Sequence, residues 1–150
     1  MKFLTNSPKQ TQKLGENLAK KILRLPLRKK ALVFGLEGDL GEGKTTFLKG
    51  FAWGLGIKEK ITSPSFVIMK KFRITTETYN LKPKTFVHID CYRIGKPKEI
   101  LALGFKEIIS DPKNIVAIEW AERVHEIMPK DTTWVKFEFL GKKKRKIIFR

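Results

Sequence analysis

The chain has 150 residues, and its 32 Lys and Arg against 15 Asp and Glu give a net charge of +17 at pH 7 with His neutral. This length predicts a single domain over residues 1–150, and no apolar stretch approaches the roughly 18 residues of a membrane span. The single cysteine, Cys91, excludes an internal disulfide, and with an N-terminus unlike a signal peptide it predicts a cytoplasmic protein without membrane contact.

The first predicted element is a helix that begins at Ser7-Pro8. Ser7 is a favourable N-cap, Pro8 suits the first helical position, and Gln10 stands where a capping box needs it. An apolar stripe follows and is ended by Pro26; its members are Leu14, Leu18, Ile22 and Leu25. The next apolar run, residues 31–36, predicts a buried strand.

Directly after this strand, residues 38–45 read Gly-Asp-Leu-Gly-Glu-Gly-Lys-Thr, a complete G-x-x-x-x-G-K-[ST] motif. A helix is predicted behind it from the apolar positions Phe47, Leu48, Phe51, Ala52 and Leu55, with Gly56 as its stop. Glycines in the loop let backbone N–H groups approach an anion, at the positive end of that helix. Lys44 would reach the β- and γ-phosphates, and the Thr45 hydroxyl would ligate Mg²⁺. The motif therefore predicts a nucleotide-binding P-loop.

Further strands are predicted over residues 65–69, 85–89 and 115–118, with a polar loop or hairpin tip over 74–83. Short helices are predicted from Leu101 to Ile109 and again from Ala121, and residues 134–139 and 147–149 predict a C-terminal hairpin. The fold class is therefore α/β: a P-loop NTPase-like domain with a central mixed parallel and antiparallel sheet flanked by helices.

Two predicted strands end in an acid, Asp90 and Glu119. Parallel strands bring their carboxyl ends to one edge, where two acids could divide metal ligation and the positioning of a water. The alternative is that one of them is a structural acid paired with Arg93 or Arg123. We interpret His88 as a strand histidine rather than a catalytic base.

Trp120 and the positive charge can each be interpreted in two ways. Trp120 either closes the core, which the sequence slightly favours, or stacks on a partner. The positive charge either meets a polyanion such as RNA or is background composition. Its one dense block, residues 142–146, is expected to be exposed at a hairpin tip, where replacement of its four lysines would leave ATP hydrolysis at the P-loop unchanged.

Taken in order, the motifs resemble the TsaE (YjeE) family, the small P-loop ATPases of bacterial tRNA threonylcarbamoyladenosine synthesis. The segments that match are residues 38–47, 63–66, 88–93, 103–105 and 118–120, together with Thr11 and Leu14-Gly15 in the first predicted helix. The resemblance covers nearly the whole chain at similar spacing. The sequence departs from the family's pattern at Phe72, where a tyrosine is common, and over residues 75–79.

The resemblance implies slow, Mg²⁺-dependent ATP hydrolysis in support of the TsaB–TsaD pair, which transfers a threonylcarbamoyl group to the adenosine beside the tRNA anticodon. By resemblance, Lys44 would bind phosphate, Thr45 and Glu119 would hold Mg²⁺, Asp90 would be the acid needed for hydrolysis, and Trp120 would be a functionally sensitive neighbour. The predicted nucleotide contacts are Thr11 near the base and, in the loop and first helical turn, Gly38, Gly41, Glu42, Gly43, Lys44, Thr45 and Thr46.

Two functions of other classes compete with this one. One is a basic nucleic-acid-binding module that uses ATP only for stability, although the chain lacks the interleaved aromatic and basic motifs of single-strand binders. The other is a small-molecule kinase. The sequence has no obvious arginine-rich lid after the P-loop, and this argues against a kinase.

Overall fold

A computed structural model describes residues 1–39, 41, 43–62, 68–75 and 83–150. These residues form one seven-stranded sheet in the order β1-β7-β6-β2-β5-β4-β3. The strands are β1 (Lys2–Thr5), β2 (Leu32–Glu37), β3 (Met69–Arg73), β4 (Thr85–Asp90), β5 (Asn114–Glu119), β6 (Thr133–Phe139) and β7 (Arg145–Phe149). The helices are α1 (Pro8–Leu23), α2 (Lys44–Gly54), α3 (Lys98–Leu101) and α4 (Phe105–Ser110), with a 3-10 helix over Ala121–Ile127.

The centre of the sheet is parallel and its edges are antiparallel. β6, β2, β5 and β4 run in the same direction, while β7, β1 and β3 are antiparallel to their neighbours. This confirms the predicted mixed sheet. Because β2, β5 and β4 are parallel, their carboxyl ends meet at one edge, where the loop before α2 also lies.

Each face of the sheet carries its own apolar core. On one face α1 and α2 cover a cluster built around Phe34, Phe51, Phe86 and Phe137. On the other face a second cluster contains Val87, Ile89, Phe105 and residues of the 3-10 helix. The continuous apolar runs of β2, β4 and β5 are explained by this burial on both sides.

Helices α1 and α2 approach closely because small residues lie between them. A Cβ added at Gly50 would lie 1.8 Å from the Gln12 carbonyl oxygen, and one at Gly15 would lie 2.2 Å from the Phe47 carbonyl oxygen. Neither contact is sterically possible, so both glycines are required by the packing. The helix that follows the loop is therefore held firmly against α1.

The start of α1 is as predicted and its end is not. Ser7 Oγ accepts a hydrogen bond from Gln10 N at 3.1 Å, and Gln10 Oε1 accepts from the N–H of Asn6 at 2.7 Å, one residue before the Ser7 N–H that a capping box would use. The helix ends at Leu23, so the assignment of Leu25 to the apolar stripe was wrong: Leu25 is 49% exposed. Leu25 precedes Pro26, and the residue before a proline is disfavoured in the helical conformation.

Two strands differ from the expectation. β1 was not predicted, because four residues at the chain start carry little periodicity and their pairing partner, β7, lies at the opposite end of the sequence. Of the strand predicted over 65–69, Ile68 lies in a bend and β3 begins at Met69, from where it continues to Arg73. Residues 63–67, and most of the predicted 74–83 loop, lie outside the described residues. The strands predicted over 85–89 and 115–118, the two short helices and the C-terminal hairpin are confirmed.

Candidate functional site

The loop between β2 and α2 has the backbone that its glycines were expected to allow. Gly38, Gly41 and Gly43 have φ of 141°, 77° and 102°. Gly43 is the N-cap of α2, and its carbonyl accepts the hydrogen bond of Phe47 N at 2.9 Å. The loop therefore delivers the chain into α2 with the helix N-terminus facing the carboxyl edge of the sheet, where the positive end of the helix dipole favours an anion.

A cleft of about 260 Å³ opens in front of this helix N-terminus. The predicted site residues that line it are Thr11, Gly41, Gly43, Lys44, Thr45, Thr46 and Glu119. Its other lining residues are Pro8, Trp120, Lys142, Lys143 and Arg145. Glu42 lies outside the described residues. Gly38 and Asp90 do not line the cleft: the Gly38 carbonyl accepts from Lys44, and Asp90 lies beside Glu119.

Lys44 is almost fully buried at the floor of the cleft, with 5% of its surface exposed. Its ammonium donates to the carbonyl of Asp39 at 2.8 Å and to the carbonyl of Gly38. The Trp120 ring covers it, with Nζ 4.4 Å from the ring centroid. A buried ammonium held by carbonyl dipoles and an aromatic face fits a phosphate group, whose charge would compensate its own.

Thr45 and Glu119 meet across the cleft. Thr45 Oγ1 donates to Glu119 Oε1 at 3.0 Å, and Glu119 is 2% exposed. A hydroxyl and a carboxylate at this separation are two hard oxygen donors of the kind that Mg²⁺ prefers, next to the position expected for phosphates. The residues present therefore fit a Mg–nucleotide group.

Asp90 and Glu119 are register partners at the ends of β4 and β5, so the two acids lie side by side as predicted. Asp90 Oδ1 accepts a hydrogen bond from Tyr92 N at 2.9 Å, which fixes one oxygen of the carboxylate. Arg123, one of the arginines considered as a partner for these acids, donates instead to the Tyr92 carbonyl at 2.5 Å.

His88 contacts the second oxygen of Glu119, which sequence reasoning missed. Nε2 lies 2.7 Å from Glu119 Oε2, and the imidazole is 1% exposed. The signal was available in the strand pairing, because His88 is aligned with Ala117, two residues before Glu119. Residues two apart on a strand share a face, so a parallel pairing of these strands puts His88 and Glu119 on the same side of the sheet.

Trp120 lies between the core and the cleft. It is half-buried and packs against the second apolar cluster, and its ring lies tilted by 48° against the Tyr92 ring, with the centroids 5.1 Å apart. Among the described residues it is the only non-glycine residue with positive φ, 58°. This conformation costs about 1–3 kcal/mol and persists because the surrounding structure requires it. It turns the ring from the end of β5 onto Lys44.

The turn between β6 and β7 lies at the cleft, so the expectation that its four lysines are independent of the ATPase site does not hold for Lys142 and Lys143. The turn is exposed as predicted, but Lys142, Lys143 and Arg145 line the cleft. Arg145 donates to the Gly41 carbonyl at 2.9 Å, which ties the turn to the loop. The reason is topological: β6 is paired with β2, so the hairpin is placed next to the loop that leaves β2.

Burial affects two ionisable groups near the site. Burial, with repulsion from Asp90 second, raises the pKa of the Cys91 thiol to about 12. A buried thiol with a raised pKa is inert. Glu122 is exposed as a residue, but desolvation of its carboxyl raises its pKa, and the Lys44 ammonium opposes that shift.

The fold and the loop define the class of the protein: it has a P-loop NTPase fold. A sequence model of the family described as "Threonylcarbamoyl adenosine biosynthesis protein TsaE" matches residues 5–147. The chain belongs to the TsaE family, whose name links it to threonylcarbamoyladenosine biosynthesis.

Individual relatives agree with this assignment. A tRNA threonylcarbamoyladenosine biosynthesis protein TsaE from Bacillus subtilis is 34% identical over 149 residues, covering 99% of this chain and 84% of that one. A protein of the same name from Borreliella burgdorferi is 40% identical over 118 residues, covering 78% of each chain. The crystal structure of YdiB from Bacillus subtilis is similar, with a TM-score of 0.75 and 30% identity, covering 99% of this chain and 83% of that one.

In the described part of the chain, no helix is both long and apolar enough to cross a membrane.

Proposed function

We propose that residues 1–150 form one P-loop ATPase domain that binds ATP with Mg²⁺ in the cleft and hydrolyses it slowly. The hydrolysis would support a TsaB–TsaD pair in forming threonylcarbamoyladenosine in tRNA, a reaction that belongs to the cytoplasm. The observation that carries the proposal is the contact of Thr45 with Glu119 at 3.0 Å beside the buried ammonium of Lys44. These groups offer two oxygen ligands and one fixed cation to a metal–phosphate unit.

Each residue of the site has a definite part in this proposal. Lys44 would turn its ammonium from the carbonyls of Gly38 and Asp39 to the β- and γ-phosphates. Thr45 and Glu119 would hold the metal. Bound Mg²⁺ would neutralise charge that develops on the phosphates during hydrolysis. Asp90, held by Tyr92 N, would orient the attacking water.

The remaining polar groups of the cleft would contact the rest of the nucleotide. Gly41, Gly43 and Thr46 line the cleft and would meet the phosphates, and Glu42 and Gly38 complete the proposed loop. Thr11 would lie near the base; its hydroxyl is 2.7 Å from that of Thr5, a contact that fixes its direction. The cationic side chains Lys142 and Lys143 add positive charge to the same cleft, which favours a triphosphate.

Substitution of Lys44 by Ala tests the nucleotide site. We expect binding of a fluorescent ATP analogue to weaken at least tenfold, because a charge-assisted phosphate contact is worth about 1.5–3 kcal/mol. Lys49→Ala is the matched control, since Lys49 is an exposed lysine on the same helix. Equal affinity of the two variants would contradict the proposed site.

The partnership is tested separately, by co-purification with the TsaB–TsaD pair in the presence and absence of ATP and Mg²⁺. We expect retention of the wild-type chain to depend on ATP with Mg²⁺. A chain that binds and hydrolyses ATP without being retained would instead be an ATPase with another partner. Phosphate transfer to an added small molecule, rather than to water, would favour the kinase alternative.

A further inference from the structure

Glu119 is a buried carboxylate whose orientation is controlled from both oxygens. Oε1 accepts from Thr45 on the cleft side, and Oε2 lies 2.7 Å from His88 Nε2 on the interior side. A carboxylate that ligates a metal has no hydrogen to donate, so in the metal-bound site the imidazole nitrogen would supply the hydrogen of this contact. Glu119 thus has one partner that lines the cleft and one that does not.

Metal binding would affect the contacts of Thr45 and His88 with Glu119 differently. Thr45 Oγ1 would turn to the metal and release Oε1, because the same hydroxyl serves both. His88 is buried and does not line the cleft, so its hydrogen bond to Oε2 can persist. The carboxylate would then keep its direction and offer Oε1 to the metal, with its hydrogen-bonded oxygen facing the interior.

The imidazole is itself held rigidly. His88 is 1% exposed, lies in the middle of β4 and stacks on Phe86 with the ring planes 9° apart and the centroids separated by 6.3 Å. Phe86 in turn contacts Phe51 of α2, the helix that begins with Lys44 and Thr45. A single packed unit therefore fixes the donor, the carboxylate and the helix that carries the proposed metal hydroxyl.

We propose that His88 is a positioning residue for the metal site: its Nε2–H orients the Glu119 carboxylate so that Oε1 is presented to Mg²⁺. This inference rests on the proposed function, in which Glu119 ligates the metal. Outer-shell partners of this kind change metal affinity by roughly 10- to 100-fold when removed. A merely structural histidine would affect stability without a selective effect on the metal.

The test compares two substitutions of His88. His88→Phe keeps a planar ring in the same space and removes the donor, whereas His88→Gln provides an amide nitrogen close to the position of Nε2. A fluorescent ATP analogue is titrated in EDTA and again at increasing Mg²⁺, and Mn²⁺ binding to the ADP complex is measured by electron paramagnetic resonance.

We expect His88→Phe to bind the analogue in EDTA like the wild type but to need at least tenfold more Mg²⁺ for the half-maximal metal effect. His88→Gln should restore the wild-type Mg²⁺ requirement, and Mn²⁺ affinity should follow the same order. If His88→Phe does not fold, His88→Asn replaces it, because its shorter amide does not reach Glu119.

Three results would overturn the inference: an unchanged Mg²⁺ requirement in His88→Phe, an equal loss in His88→Gln, or an equal loss of affinity in EDTA. In each of these cases the wild type still shows its metal effect, so the proposed function stands. A wild-type protein whose nucleotide binding does not respond to Mg²⁺ would instead overturn the proposed function and this inference together.

Discussion

At the scale of single residues, the site consists of charged groups that are buried next to a cleft. Lys44 and Glu119 are 5% and 2% exposed, and a buried charge is costly unless it is paired or hydrogen-bonded. Lys44 is held by two backbone carbonyls and Glu119 by a hydroxyl and an imidazole. The fold therefore keeps both charges in place at a position where a metal–phosphate unit would complement them.

Asp90 and Glu119 are expected to have separable roles. Glu119→Gln should weaken Mg²⁺-dependent nucleotide binding, because a neutral amide is a poor ligand for a hard cation. In addition, the amide NH₂ would replace one of the two oxygens that now contact Thr45 and His88. Asp90→Asn should leave nucleotide binding near normal, because its amide oxygen can still accept from Tyr92 N. Hydrolysis should fall, because the positioning of water matters mainly in the transition state.

Isothermal titration with Mg-ATP and a phosphate-release assay measure the two effects. Both variants are compared with the wild type in EDTA as well, where neither should differ. If both variants bound Mg-ATP equally weakly, the division of labour between the two acids would be wrong.

At the scale of elements, the site depends on how closely α1 and α2 pack. Gly50→Ala would place a methyl group 1.8 Å from the Gln12 carbonyl oxygen, so the helices must separate. Overpacking costs about 1–3 kcal/mol, and because the clash is with a backbone carbonyl we expect the upper part of this range, above the roughly 1 kcal/mol of helix propensity that alanine gains. We expect the Tm to fall by about 2–10 °C, measured by thermal unfolding followed by circular dichroism.

Gly141→Ala is the matched control for this change, because a Cβ there meets nothing within 4 Å. Its Tm should stay within about 1–2 °C of the wild type, as surface substitutions away from such contacts change stability by about 0.5 kcal/mol or less. A Gly50→Ala variant as stable as the Gly141→Ala variant would show that the two helices can separate at no cost.

Arg145 links the C-terminal hairpin to the loop. Its guanidinium donates to the carbonyls of Gly41, Gly141 and Lys144 at 2.9–3.0 Å and lies over the Phe139 ring. Arg145→Met should release Gly41 and weaken nucleotide binding about 5- to 30-fold, corresponding to the loss of about 1–2 kcal/mol.

The matched control is Lys144→Met, which removes one positive charge from an exposed position on the same turn. Titration with a fluorescent ATP analogue in EDTA compares the two without the metal. Equal affinities would mean that the hairpin contributes charge alone and that the loop keeps its form without Arg145.

Elements were predictable where the local pattern determined them. The strand, loop and helix over residues 31–56 followed from apolar periodicity and three glycines, and Ser7 marked the start of α1. The acids at the ends of β4 and β5 could be placed together because the carboxyl ends of parallel strands lie at the same edge of the sheet.

Long-range pairing was not predictable from the local sequence. β1 depends on its pairing with β7, and the hairpin reaches the cleft only because β6 pairs with β2. The contact of His88 with Glu119 also needed the register of two strands, since the two residues are 31 apart in sequence.

At the scale of the whole molecule, the +17 charge is distributed along the chain, and its dense block lies at the nucleotide cleft. Within residues 142–146, Lys142 and Lys143 line the cleft, whereas Lys144 and Lys146 do not. A tRNA bound at this turn would therefore share a surface with the nucleotide. The two pairs of lysines allow these contributions to be separated.

We predict that the hairpin turn contacts tRNA in the proposed complex with TsaB and TsaD. Replacing Lys144 and Lys146 by Gln should reduce the slope of log affinity for tRNA against log salt, by about 0.7–0.9 for each phosphate that is no longer neutralised, because each neutralised phosphate releases counterions. ATP hydrolysis by the chain alone should stay unchanged, since neither residue lines the cleft.

Replacing Lys142 and Lys143 by Gln removes the same charge and should lower both the salt slope and the nucleotide affinity. Binding of tRNA at several salt concentrations, with either pair replaced, measures this. Slopes identical to that of the wild type for both pairs would mean that the basic excess is background composition and that the chain meets its partners through other surfaces.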